Sequence, residues 1–150
     1  VGMAAAKGIC YAMNIPLIAV NTLELMATAM VPLAEKEKAL ICPMIDARRN
    51  EVFTAVYTAE MKEIQAPQAL ILDKTSFEDV LKGNRVIFSG SGSGKWKILT
   101  SSPQAVFATQ INVIESFALI SSRYFAEKRW TELTGSEPIY LKEFYTHAKI

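Results

Sequence analysis

The chain has 150 residues, 51% of them hydrophobic and 21% charged, with a formal net charge of +1. That length carries one domain with a real core, the composition excludes a disordered chain, and the near-neutral charge excludes a general nucleic-acid footprint while leaving room for a local basic patch. The mean hydropathy of +0.19 is high for a free-standing soluble domain. No apolar run is long enough to span a bilayer, so the surplus is assigned to core or to an interface with another chain.

Residues 2–13 read as a helix with neither a cap nor a lead-in strand, and Val1 is not an initiator methionine. The chain is therefore expected to be the latter part of a larger protein. Ala4, Gly8 and Ala12 lie four apart on one helix face, a spacing that permits close approach of a second helix. Gly8 costs about 1 kcal/mol of helix propensity against alanine. Helix–helix packing is one reason to keep it there, and an ordinary buried helix is the alternative.

Asn14-Ile15-Pro16 breaks this helix, and the apolar run Leu17-Ile18-Ala19-Val20 reads as a short buried strand. Asn21 is placed to cap the next helix, with Glu24 in the capping-box position. That helix carries Leu23, Met26, Ala27 and Met30 at core spacing and is expected to end near Val31-Pro32.

Residues 39–45 and 52–57 read as strands joined by a charged corner, followed by a weaker strand at 60–64 and another extended run at 69–72. Thr75 and Glu78 form a second capping-box pair ahead of Phe77, Val80 and Leu81. Gly83-Asn84 turns the chain into a strand over 85–88, and a glycine-rich loop then leads to a short helix at 95–99 and a last strand at 106–108. Asn112 is expected to cap the longest helix, which runs to about Trp130 with Val113, Phe117, Ser121 and Tyr124 on one face. The tail at 138–141 is apolar enough to dock on the body. Helices mixed with strands, some of them hairpins, indicate an α/β layer fold with a mixed sheet.

The loop Gly90-Ser91-Gly92-Ser93-Gly94-Lys95 has the strand–loop–helix layout of a phosphate cradle. Its spacing fails both common templates. Too few residues separate Gly90 from Gly94 for a Walker A loop, Trp96 stands where a magnesium-ligating hydroxyl belongs, and the third glycine comes too early for a dinucleotide fingerprint. A flexible turn is favoured over a working nucleotide site. The single histidine, His147, supports neither a metal cage nor a Ser/His/Asp triad. Cys10 and Cys42 lack CxxC spacing and read as buried small hydrophobes in a reduced compartment. At the corner, Asp46 and Glu51 flank Arg48 and Arg49, so pairing across the turn is expected. The bland reading is a solvated hairpin, and the sharper one is an arginine-bearing surface for a partner or RNA phosphate. No catalytic residue, metal or cofactor is assigned.

In order along the chain, Ala5-Ala6-Lys7-Gly8 with Tyr11-Ala12, Asn14-Ile15-Pro16-Leu17-Ile18, Thr22-Leu23-Glu24, the run from Pro43 to Phe53, the run from Phe88 to Trp96, and Glu137-Pro138-Ile139-Tyr140-Leu141-Lys142 resemble the TsaB (YeaZ) family, over nearly the whole chain. Members carry an N-terminal lobe and a Gly-Pro-Gly-Ser-Phe-Thr-Gly-Leu-Arg-like segment ahead of the position of Val1. The resemblance therefore implies the end of a first lobe (about 1–31) plus a second lobe, in the actin-like/Hsp70-like ATPase (ribonuclease H-like) architecture. It implies a cytoplasmic, bacterial, non-catalytic subunit that binds a TsaD-like catalytic subunit, works with a TsaE-like ATPase, and meets tRNA indirectly as threonylcarbamoyl is placed on adenosine 37. The older peptidase label finds no protease apparatus in this sequence. On this reading Ala4, Ala5, Gly8, Tyr11 and Ala12 form a partner or homodimer surface, Asp46, Arg48, Arg49 and Glu51 are a signature corner, and Gly90, Gly92, Gly94 and Lys95 are a vestigial nucleotide loop. The alternatives are an ATPase-like enzyme using the Gly90–Gly94 loop, and a direct tRNA-binding module using Arg48, Arg49, Lys95 and Lys97.

Overall fold

The computed structural model describes residues 1–108 and 112–142. Its centre is a five-stranded sheet of β1 (Ala39–Asp46), β2 (Glu51–Tyr57), β3 (Glu63–Ile71), β4 (Arg85–Ser89) and β5 (Ala105–Ala108), in the spatial order β3-β2-β1-β4-β5. The first three strands form an antiparallel meander, and β4 and β5 add in parallel beyond β1. The connections that lead into the parallel strands carry the short helices α4 (Glu78–Leu81) and α5 (Ser93–Lys97).

Strand alternation divides the interior. Cys42, Met44, Val52, Val56, Val86 and Phe88 face one side, where they pack with Phe77, Val80, Leu81 and Trp96. Ile41, Ala55, Tyr57 and Ile87 face the other, under Leu23, Ala27 and Met30 of the α2 region (helix Thr22–Thr28) and Ala34 of α3 (Val31–Glu37). The aromatic centre of the first side is a T-shaped set, with Phe77 5.3 Å from both Phe88 and Trp96. Pro43 lies buried in β1, a central strand to which it can donate no N–H. The buried Thr54 hydroxyl donates to the Pro43 carbonyl at 2.9 Å and lies 3.2 Å from Cys42 Sγ.

Several local expectations are corrected. Residues 17–20 form no strand of the sheet; their only ladder contact among the described residues is an antiparallel bridge from Leu17 to Thr131. The helix begun at Asn21 stops at Thr28, and Val31–Glu37 is a separate helix with Pro32 in its first turn, where the missing N–H costs nothing. The two weak runs at 60–64 and 69–72 fuse into β3, whose register shifts opposite Thr54–Tyr57. Thr75 and Glu78 form no capping box. Asp73 accepts from the N–H groups of Thr75 and Ser76 instead, and Phe77 precedes α4 in a left-handed conformation. The last helix, α6, ends at Ala126 rather than near Trp130 (Val113–Ala126), and its buried line is Ser116, Ile120 and Tyr124, leaving Phe117 exposed.

Candidate functional site

The charged corner is the tight β1–β2 turn. Ala47 N–H donates to Glu51 O and Glu51 N–H to Arg48 O, both at 3.1 Å, while Asp46 Oδ1 accepts from Arg48 N–H at 2.7 Å. Arg48 and Arg49 both adopt left-handed backbone, with φ of 68° and 50°. For residues with a Cβ this conformation costs roughly 1–2 kcal/mol each.

The pairing expected within the hairpin is absent. Asp46 binds Lys95 Nζ of α5 at 2.7 Å, and Glu51 binds Lys142 Nζ of the tail at 2.5 Å. Lys95 also donates to the Glu51 carbonyl at 3.2 Å. The Lys95 ammonium, helped by the Arg48 N–H, holds the Asp46 carboxyl below the usual carboxylate range. Both carboxylates of the corner are thus neutralised from distant parts of the chain. Arg48 and Arg49 stay exposed and pair with no carboxylate among the described residues.

The glycine loop lies against this corner, and Gly90 and Gly92 serve packing. A Cβ on Gly90 would fall 2.4 Å from the Met44 carbonyl oxygen and 2.3 Å from Met26 Cε, at a φ of +92°. A Cβ on Gly92 would fall 2.7 Å from Val52 Cγ1. A phosphate cradle requires free N–H groups, yet Gly92 N–H donates to Met44 O, Ser93 N–H to Gly90 O and Lys95 N–H to Gly92 O. Ser91 Oγ accepts from Asp46 N–H at 3.1 Å. Lys95, which a nucleotide loop would keep for phosphate, is committed to Asp46.

Helix α1 (Gly2–Met13) presents a different surface. Cys10 is its one buried residue. Ala4, Ala5, Gly8, Tyr11 and Ala12 are all exposed, Tyr11 at 81%, beside Ile9 and Met13 at 57% and 64%. A Cβ on Gly8 would meet nothing within 4 Å, so no contact within the described residues accounts for that glycine. Lys7 anchors the helix by donating to the Ser136 carbonyl at 2.9 Å.

Two features escaped the sequence reading. Glu24 does not reach back to its cap; its carboxylate accepts from Tyr124 OH at 2.6 Å, and Arg129 stacks 3.7 Å from the Tyr124 ring, tying α2 to α6. A cleft of about 480 Å³ opens between Met3, Val20, Leu23, Ile45, Phe53 and the tail residue Leu141. Neither leaves a local signal, because each joins segments far apart in the chain.

Among the described residues no group of three or more His, Cys, Asp or Glu side chains could hold a metal ion, and His147 lies outside them. Burial pushes the Cys42 thiol up to about 12, which leaves it protonated and a poor nucleophile at neutral pH. No described helix is long and apolar enough to cross a membrane.

The family model described as TsaD, tRNA N6-adenosine threonylcarbamoyltransferase, matches residues 1–137. Among solved structures, an uncharacterized protein with similarity to peptidase YeaZ from Pseudomonas aeruginosa superposes with a TM-score of 0.74 at 21% identity, covering 94% of this chain and 66% of its own. YeaZ from Pseudomonas aeruginosa superposes with a TM-score of 0.67 at 21% identity, covering 93% of this chain and 66% of its own. The chain thus spans 66% of the length of each of these relatives. No curated protein matches it at a significant level.

Proposed function

The chain belongs to the TsaD, tRNA N6-adenosine threonylcarbamoyltransferase, family and has its actin-like ATPase-type fold; from that premise we propose that it is a non-catalytic docking subunit of a tRNA-modifying assembly. Its partner on this reading is a TsaD-like catalytic subunit, with a TsaE-like ATPase joining the complex and tRNA reached indirectly. Residues 1 to about 31 are read as the end of a first lobe and the remainder as a second lobe. A cytoplasmic setting follows from the same reading.

One observation carries the proposal: the exposed face of α1. Small side chains at Ala4, Ala5, Gly8 and Ala12 let a second backbone come close, and Tyr11 supplies an aromatic anchor of the kind that dominates interface energetics. A second copy of the chain would use the same face. The reading of an ATPase-like enzyme working through the Gly90–Gly94 loop is disfavoured, since the loop's N–H groups and Lys95 already have internal partners. A cysteine-peptidase activity is disfavoured, since Cys10 and Cys42 are both buried.

Gly8→Leu tests the proposal because the two readings of Gly8 predict opposite results. Within the chain, a Cβ at this exposed position meets nothing within 4 Å, and the change gains roughly 1 kcal/mol of helix propensity. At a docking face it blocks approach. The expected outcome is an unchanged or raised melting temperature together with loss of co-purification with the TsaD-like subunit, or of self-association by light scattering. Full capture by the variant would remove the α1 face as the docking surface.

A further inference from the structure

The unspent arginines of the β1–β2 turn point to a second surface, distinct from α1. The corner and the two lysines bound to it carry four cations (Arg48, Arg49, Lys95 and Lys142) and two carboxylates (Asp46 and Glu51). Both carboxylates are ion-paired, Asp46 with Lys95 and Glu51 with Lys142. The excess positive charge is therefore left on Arg48 and Arg49, both exposed at the outermost point of the turn.

The composition of this surface selects its ligand. A protein interface is centred on apolar and aromatic side chains, whereas a nucleic-acid interface is polar and positively charged. Asn50 follows the arginines in the turn, Ser91 accepts from the adjoining Asp46 N–H, and Ile71, opposite Glu51, is the large exposed apolar side chain at the border. We propose that Arg48 and Arg49 form a phosphate-binding corner that contacts the sugar–phosphate backbone of RNA. The choice of RNA over DNA rests on the proposed function, in which the assembly acts on tRNA, and the corner adds a direct backbone contact to the indirect route given there; the phosphate chemistry does not depend on that reading. The corner contributes orientation and affinity but no base readout.

The experiment is fluorescence anisotropy of the full chain with a fluorescein-labelled RNA stem-loop across a salt series. The test variant is R48N/R49N, because asparagine tolerates left-handed backbone, and circular dichroism with thermal melting checks its fold. A charge-matched control, K36A/K62A, removes two exposed lysines from elsewhere on the surface. The expected result is about a tenfold or greater loss of affinity for R48N/R49N at low salt, with the slope of log affinity against log salt reduced by roughly 1.4–1.8, the value for two phosphate contacts. The control changes affinity less than about twofold if the contact is local rather than a net-charge effect. Equal losses in both variants, no loss in R48N/R49N, or no RNA binding by the parent chain would each overturn the proposal. So would a polyglutamate peptide that binds through the same arginines as tightly as RNA, which would assign the corner to an acidic protein. Gly8→Leu leaves RNA binding intact and R48N/R49N leaves capture of the catalytic subunit intact, so each reading can fail without the other.

Discussion

Lys95 Nζ lies 2.7 Å from Asp46 Oδ1 and so fastens α5 to the end of β1, across 49 residues of sequence. The contact has a pH signature. Asp46 titrates below its ordinary value in the folded chain, so its contribution to stability is present above the unfolded pKa and is lost as pH falls through the folded one. Asp46→Asn is expected to lower the melting temperature at neutral pH, with the difference from the parent shrinking as pH drops below the ordinary carboxylate range. A difference independent of pH between about 2.5 and 6, a range that brackets the ordinary aspartate value of about 3.9, would show that the ion pair contributes nothing to stability.

The three loop glycines are expected to rank by what a methyl group meets. Gly90→Ala combines a φ of +92° with a backbone oxygen at 2.4 Å, and a loss of about 3 kcal/mol or more is expected. Gly92→Ala, facing Val52 Cγ1 at 2.7 Å, is expected to lose roughly 1–3 kcal/mol. Gly94 lies in α5 with open space around it, so Gly94→Ala is expected to be neutral or to gain up to about 1 kcal/mol. Urea denaturation measures all three; equal losses would mean that the loop is held by something other than close packing.

The buried hydroxyls of Thr54 and Ser89 make a contrasting pair. Thr54 donates to Pro43 O, and Thr54→Val leaves that carbonyl without this donor, for an expected loss of about 1–3 kcal/mol. Ser89 Oγ is buried with no hydrogen-bond partner among the described residues. Ser89→Ala therefore removes an unsatisfied group and is expected to leave stability unchanged or raise it by up to about 1 kcal/mol. Chemical denaturation of both variants decides the matter, and a costly Ser89→Ala would reveal a partner for that hydroxyl.

Tyr124→Phe removes the 2.6 Å bond to Glu24 but keeps the ring beneath Arg129. The expected loss is about 1–2 kcal/mol, and Tyr124→Leu, which removes the stacking as well, loses more. Burial and the Glu24 carboxylate raise the Tyr124 pKa. Its contribution is therefore complete below the unfolded tyrosine pKa and is lost as pH rises through the higher folded value. Thermal melts over the alkaline limb should be flatter in Tyr124→Phe than in the parent; an identical limb would remove Tyr124 from the alkaline transition.

Much of the fold was legible from local pattern. The alternation along Val52-Phe53-Thr54-Ala55-Val56-Tyr57 fits a sheet buried on both faces, and Asn21 and Asn112 cap their helices as their chemistry suggests. The apolar run Leu17-Ile18-Ala19-Val20 misled because composition reports that a segment can pair, not which strand lies beside it. Phe117 misled for a related reason: two neighbouring stripes of α6 are apolar, and the position of α2 decides which one is buried.

The sequence by itself determined the alternation along β2, the Asn21 and Asn112 caps and the presence of a charged turn ahead of a glycine loop, because each depends on residues a few positions apart. Only the tertiary structure decided how the charges were matched. Asp46 and Glu51 have arginines within five residues, yet they bind Lys95 and Lys142, which lie 49 and 91 residues away. The left-handed turn leaves both arginines exposed, whereas the packed loop and the returning tail deliver lysines to the carboxylates. Coulomb attraction acts on distance in space, and the fold sets that distance.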